Sequence, residues 1–337
     1  MTGNVSPVAP GPSATADETL AERRRLRDFG AIWQKYGTFG ILVLLIVISS
    51  IVSPQFFLTK DNLLQVLVQS ASLVLLACGE FFTILIAGID LSVGAVLGLV
   101  GMIVAKLLIA GVPLWLALVL GLAVGGLIGA INGLLVNVTR LHPFIITLGT
   151  AAIFRGVTLI ISNASSVFGF TQAFEATVAG RVVGIPIPIF IAAAVAGFLY
   201  FVTQFTVLGR NIYAIGGNAQ AALFSGIDVR LNTLVVFVIS GACAGVAGIV
   251  TTARTGAAEP NAGVGFETFA IASAIIGGTS FFGGRGRISG VVVGALIIGV
   301  ISNVLNIANV QSYYQQIVMG TLIIVAVTID RFFSTRT

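Results

Sequence analysis

Residues 73–104 read LVLLACGEFFTILIAGIDLSVGAVLGLVGMIV. Two apolar runs meet at the break Gly88-Ile89-Asp90-Leu91-Ser92-Val93-Gly94, and each run is about the length of one membrane-spanning helix. Working outward, apolar segments recur at residues 37–53, 62–88, 92–112, 113–138, 144–162, 185–206, 232–253, 264–282, 288–308 and 314–333. Segment 264–282 is the weakest, because Glu267 and several glycines interrupt it. Of the 337 residues, 57% are hydrophobic and only 9% charged, and mean hydropathy is +1.08. A soluble body would need roughly 25% charged residues. The reading is an all-α polytopic membrane protein with about ten transmembrane helices.

The placement of charge sets the expected topology. With ten spans and the amino terminus inside, both termini are cytoplasmic. Twelve of the 17 Lys and Arg residues then fall inside: five in the tail, with Arg140, Arg210, Arg230, Arg285, Arg287, Arg331 and Arg336. Cytoplasmic loops of membrane proteins carry this excess, so a pI near 9.6 does not imply nucleic acid. Residues 1–35 read as a solvated, disordered cytoplasmic tail carrying Arg23-Arg24-Arg25-Leu26-Arg27. No apolar h-region of a cleavable signal follows its charges. The membrane-spanning body is 36–337. Residues 163–184, with Phe168, Phe170, Phe174 and Glu175, form an external loop that could fold against the outer mouth.

Other residue types narrow the chemistry. One histidine, His142, excludes sites needing two imidazoles. Cys78 and Cys243 lie in separate apolar runs and make neither a disulfide framework nor a CxxC site. The three lysines, Lys35, Lys60 and Lys106, are not preceded by glycine, so there is no Walker A sequence. No cofactor or metal site is expected in this chain.

Intramembrane carboxylates are costly and usually functional. Asp90 is read as a helix-break residue that caps the following helix, in preference to an ion ligand. Glu267, after Gly263 and Gly265, could also sit at a helix start. Glu80, inside the second span, has the best claim to work in a path. Asn132, Asn303 and Asn306 join it as substrate-path candidates. With so few hydrogen-bonding side chains in the spans, that path is expected to bind weakly. Gly283-Gly284-Arg285-Gly286 reads as a tight turn rather than an anion nest.

Glycine, at 41 residues, permits close helix packing in lipid. Gly121, Val124, Gly125, Leu127, Ile128, Gly129, Ile131 and Asn132 recur as Gly290, Val293, Gly294, Leu296, Ile297, Gly299, Ile301 and Asn303, with two one-residue slips. That hints at an inverted repeat. Residues 207–231 form a long internal loop, beginning with turn formers and continuing as a short alanine-rich helix. So little charge on the cytoplasmic side implies a cover, and the segment reads as a docking site. Gly216 and Gly217 would there allow positive φ or a close backbone approach.

At these residues the chain resembles the permease subunit of bacterial ABC sugar importers of the ribose/xylose/galactoside class. The resemblance rests on residues 88–94, on Pro143-Phe144-Ile145-Ile146-Thr147-Leu148-Gly149, and on Tyr213-Ala214-Ile215-Gly216-Gly217-Asn218 with Ala221, Ala222, Ser225, Gly226 and Ile227. It continues at Gly277-Gly278-Thr279-Ser280 with Gly283-Gly284-Arg285-Gly286, so it covers the chain from about residue 40 onward. It implies ten helices in two inverted-repeat halves, in the bacterial inner membrane. It further implies a second permease copy or homologue, a cytoplasmic ATPase subunit holding ATP and Mg²⁺, and a periplasmic sugar-binding protein. Gly209, Arg210, Tyr213, Gly216, Gly217, Asn218, Ala221, Ala222 and Gly226 match the family's ATPase-coupling segment. One stretch departs: where the family usually reads Glu-Leu-Asp-Ala-Ile-Ala-Ala, this chain has Glu267-Thr268-Phe269-Ala270-Ile271-Ala272-Ser273. The rival readings are a stand-alone secondary carrier, which would run on an ion gradient without an ATPase, and a membrane-embedded enzyme.

Overall fold

The computed structural model describes residues 37–334; the expected tail of residues 1–35 lies outside them. The described chain is helical, with α1 Gly37–Val52, α2 Lys60–Leu85, α3 Val93–Ile109, α4 Leu114–Thr139, α5 Pro143–Ser162 and α6 Gln172–Val178. After β1 Arg181–Val182 and β2 Ile185–Pro186 come α7 Ile187–Phe205, α8 Val207–Gly217, α9 Ala219–Phe224, α10 Val229–Thr255, α11 Phe266–Ile276, α12 Ile288–Ile307 and α13 Ser312–Ser334. Each apolar segment of the sequence contains one helix. Among the described residues, six helices (α2, α4, α5, α7, α10 and α12) are long and apolar enough to cross a membrane.

Local chemistry sets the ends. The Thr59 hydroxyl accepts from the Asn62 amide at the start of α2. The Asp228 carboxylate does the same for Leu231 at the start of α10. Pro143 opens α5, where its missing N–H costs nothing. Residues in the left-handed region, Arg140, Asn163 and Gly256, close α4, α5 and α10.

Helix α2 is the axis. In its most apolar 18-residue window 89% of residues are buried, against 28% for α4, 22% for α5 and 28% for α7. Helices α10, α11, α12 and α7 surround it, while the outer helices present apolar side chains such as Leu127, Ile153, Ile160 and Phe198 outward. Glycine decides the closest approaches. A Cβ on Gly129 would strike the Phe237 carbonyl, and one on Gly241 the Gly125 carbonyl, so α4 and α10 touch backbone to backbone. Gly290 meets Gly277, and Gly294 meets Ser273, between α12 and α11.

The two ends of the bundle differ. At one, which we call the junction end, α2 gives way to α3; the other is the far end. Asn132, late in α4, bonds to Ser92 at the junction end. Asn303, late in α12, pairs with Asn62 at the far end. The two glycine-rich segments therefore run in opposite directions. Arg140, Arg210, Arg230, Arg285 and Arg287 all lie at the junction end, in or beside the turns that close it.

At the far end, residues 163–184 fold inward. Phe170 and Phe174 are buried in edge-to-face contact, with ring centroids 5.4 Å apart. Val167 pairs with Ala258 through two backbone hydrogen bonds of 2.9 Å. A two-stranded hairpin follows, with Val183 and Gly184 both at positive φ, as a type I′ turn requires.

Candidate functional site: a convergence of four sequence stretches

After Leu85 the chain does not continue as helix. Ala87 takes φ 58°, and residues 86–92 fold back so that the Asp90 amide donates to Glu80 Oε1 at 3.0 Å. Asp90 then organises the start of α3. Its Oδ1 accepts from the Ser92 amide at 3.0 Å and the Ser92 hydroxyl at 2.6 Å. Its Oδ2 accepts from the Ser240 hydroxyl of α10 at 2.8 Å. Asn132 of α4 donates to Ser92 Oγ at 2.8 Å. Thr147 of α5 accepts from the Leu91 amide at 3.0 Å and donates to the Ile89 carbonyl at 3.1 Å. Five helices are thus tied to one irregular turn. Glu80 and Asn132 are fully buried, and Glu80 Oε2 and Asn132 Oδ1 have no protein partner.

Three more stretches reach the same turn. The Gly284 amide donates to the Leu85 carbonyl at 2.9 Å. The Tyr213 hydroxyl donates to the Gly286 carbonyl at 2.8 Å, and burial raises the phenol above its ordinary pKa, so it remains a donor. A Cβ on Gly88 would stand 3.2 Å from Pro143. Residues 88–94, 143–149, 213–218 and 283–286, far apart in sequence, therefore form one junction. Beside it an open, mainly apolar cleft of about 540 Å³ is lined by Ala87, Ile89, His142, Phe144, Ile145, Phe281 and Phe282.

The 207–231 segment differs from expectation in two respects. Its first part is a helix, not a turn: the Thr206 hydroxyl caps it at Gly209, and Gly209 packs on the Val202 and Thr203 carbonyls, where a side chain would not fit. Packing overrides the turn chemistry of Gly209 and Asn211 there. Second, neither Gly216 nor Gly217 has positive φ. Gly216 is the close approach, since a Cβ would strike the Leu85 carbonyl and the Gly284 amide; a Cβ on Gly217 would meet nothing within 4 Å. The segment has two faces. Gly209 and Ala222 are buried, and Tyr213 and Gly216 half-buried, against the bundle. Arg210, Gly217, Asn218, Ala221 and Gly226 are exposed with Leu223 and Phe224. Asn218 separates the helices, its Oδ1 accepting from the Ala221 amide at 2.9 Å.

The path candidates separate as well. Glu80 and Asn132 share the junction network. Asn303 does not: with Asn62 it forms a reciprocal amide pair, at 2.8 and 3.1 Å. Asn62 and Glu80 are 18 helical residues apart, about 27 Å. Asn306, exposed beside that pair, accepts from Gln315 at 2.8 Å. Glu267 lies in the first turn of α11, where Oε1 accepts from the Gly265 amide at 3.2 Å. Phe269, which marks the departure, is half-buried beside Phe266. Sequence reading passed over Arg155. It reaches from α5 to donate to the Ala262 carbonyl at 2.8 Å and the Pro260 carbonyl at 3.4 Å. A lone arginine within an apolar segment was the available signal.

Residues 62–327 match the family described as branched-chain amino acid transport system / permease component. The chain belongs to that family. Among relatives, the permease is 60% identical to the D-allose transport system permease protein AlsC of Escherichia coli K12, covering 95% of this chain and 98% of that one. It is 41% identical to the ribose import permease protein RbsC of Bacillus subtilis 168, covering 94% and 98%. To the L-arabinose transport system permease protein AraH of E. coli K12 it is 33% identical, covering 90% and 93%. No solved structure matches it. Permease components of this family are non-catalytic, and the ATPase is carried on a separate subunit. Among the described residues of the permease, no three His, Cys, Asp or Glu side chains are grouped to hold a metal ion.

Proposed function

We propose that this permease translocates an aldose sugar across the bacterial inner membrane as part of an ATP-driven importer. The observation that carries the reading is the similarity, over 90–95% of this chain, to permeases named for allose, ribose and arabinose. In the proposed assembly a second copy or homologue completes the membrane part. A periplasmic binding protein delivers the sugar at the far end, and a cytoplasmic ATPase docks on α8 and α9. The exposed Leu223 and Phe224, on short helices that otherwise expose mainly Arg210 and small or polar residues, suit such a cover. Gly216, packed on the Leu85 carbonyl, and Tyr213, bonded to Gly286, fix α8 to the junction, so a push on α8 reaches the turn that holds Asp90 and Glu80.

Ten spans in two inverted halves belong to the same proposal. Its support is the opposite direction of the glycine-rich segments of α4 and α12, each packed backbone to backbone on a neighbour. A cytoplasmic junction end is supported by its five arginines. Cysteines placed singly at Arg140, Arg210, Arg230 and Arg285 should resist an impermeant thiol reagent applied to intact cells, whereas Thr177→Cys should react. The opposite pattern would invert the topology.

The functional test is uptake by cells expressing the permease with its ATPase and binding protein. Labelled D-allose, D-ribose, L-arabinose and leucine should be offered separately, the last because of the family's description. Uptake of one of the sugars, abolished when the ATPase's catalytic base is removed, is expected. Leucine uptake would move the substrate to another class, and ion-driven uptake by the permease alone would make it a secondary carrier.

A further inference from the structure

Between α10 and α11 the chain makes an excursion that a lipid-facing surface would not tolerate. Helix α10 ends at Gly256, at the far end. Residues 257–265 then descend without regular structure alongside α3, with Gly263 and Gly265 at positive φ. A Cβ on Gly98 would stand 2.8 Å from the Ala262 carbonyl, and one on Gly94 would strike the Gly263 carbonyl and Glu267 Oε2. Gly98 is five residues from the start of α3 and eleven from its end, about 8 and 16 Å, so this backbone lies within the thickness of the bundle. Helix α11 has 11 residues, about 16 Å, and completes only the second half of a crossing.

Irregular backbone at membrane depth is stable only where protein buries it or it lines a water-filled cavity. Here it is incompletely buried: Asn261, Val264 and Thr268 are exposed, and Arg155 and Glu267 are partly so. The polar groups are also incompletely matched. Arg155 uses Nη1 on two carbonyls and lies close enough to Glu267 for their charges to interact. Glu267 Oε2 has no hydrogen-bond partner.

We propose that residues 260–268, with Arg155 and Glu267, form a hydrated station at mid-membrane where a neutral polyhydroxylated solute exchanges water for guanidinium, carboxylate and amide contacts. The inference rests on the transport reading above and names the part of the chain that the sugar meets. Donors and acceptors stand together there, as hydroxyl groups require. The contacts are few, so the solute is passed on rather than held.

Cys78 and Cys243 are both buried, which favours thiol chemistry in the intact complex. Asn261→Cys and Thr268→Cys should react with a charged, membrane-impermeant thiol reagent. Leu127→Cys, on the outer apolar face of α4, should not. The sugar that the wild-type complex takes up, delivered by the binding protein with ATP, should slow the first two reactions. Thr268→Trp should reduce uptake by about tenfold or more, as a narrowed path would, with complex assembly unchanged and Leu127→Trp harmless. If either of the two cysteines is as inert as Leu127→Cys, or Thr268→Trp transports at the wild-type rate, the station is overturned. The thiol pattern reads hydration whether or not a sugar is transported, so failure of uptake in the wild-type complex counts against the transport reading alone.

Discussion

Gly216→Val should abolish transport, and it should do so by breaking the permease's own junction. The new side chain would occupy the space of the Leu85 carbonyl and the Gly284 amide, two groups bonded to each other at 2.9 Å. Helix α8 must then lift away, and the Tyr213–Gly286 bond with it. Overpacking of this kind costs about 1–3 kcal/mol, and here it also leaves buried backbone groups unpaired. Gly217→Val tests something different. Nothing in the chain lies within 4 Å of the added carbon, so the permease should retain its abundance and melting temperature. If the ATPase covers α8 and α9, that variant should still lose ATPase co-purification and uptake. Abundance, co-purification and uptake measured together separate the two. Normal uptake in Gly217→Val, with Ala221→Arg equally harmless, would remove the docking assignment from this segment.

Asp90→Ala should be the most damaging single truncation in the bundle interior. It removes the acceptor for the Ser92 amide, the Ser92 hydroxyl and the Ser240 hydroxyl at once, all in a place closed to water. Leaving a buried donor without its acceptor costs about 1–3 kcal/mol, and here three donors lose theirs together. The expected result in detergent is a marked drop in thermal midpoint and in folded yield. Asp90→Asn keeps the shape and one acceptor oxygen, so it should recover part of the loss. Equal midpoints for Asp90→Ala and wild type would mean that the turn is held by packing alone.

Much of this was legible in the sequence because membrane helices announce themselves by length and hydropathy. Asp90 could be read as a helix-break residue from its neighbours, since a short acceptor between Gly88 and Val93 serves the next helix. What lay hidden was pairing across long separations. Asn303 and Asn132 occupy equivalent places in the glycine-rich segments, yet one is spent on Asn62 and the other on Ser92. No local pattern distinguishes them. Gly216 and Gly217 are equally ambiguous, because only the position of Leu85, over a hundred residues earlier, makes one of them obligatory. The α10–α11 descent was visible only as the weakest apolar segment, and its meaning depended on Arg155 reaching across from α5.

The enclosure of α2 has a consequence for biosynthesis. This helix and the turn after it are made early, yet some of their partners come late: Ser240 follows Asp90 by 150 residues, and Asn303 follows Asn62 by 241. At ribosomal rates of 5–20 residues per second, the first interval alone lasts on the order of ten seconds. Throughout it, Glu80 and Asp90 must reside in or beside lipid, where a carboxylate is penalised by about 3 kcal/mol on the insertion scale. The central helix of the finished protein is therefore incomplete at birth. Until α10 arrives, Asp90 Oδ2 lacks the Ser240 hydroxyl that it accepts from in the finished bundle.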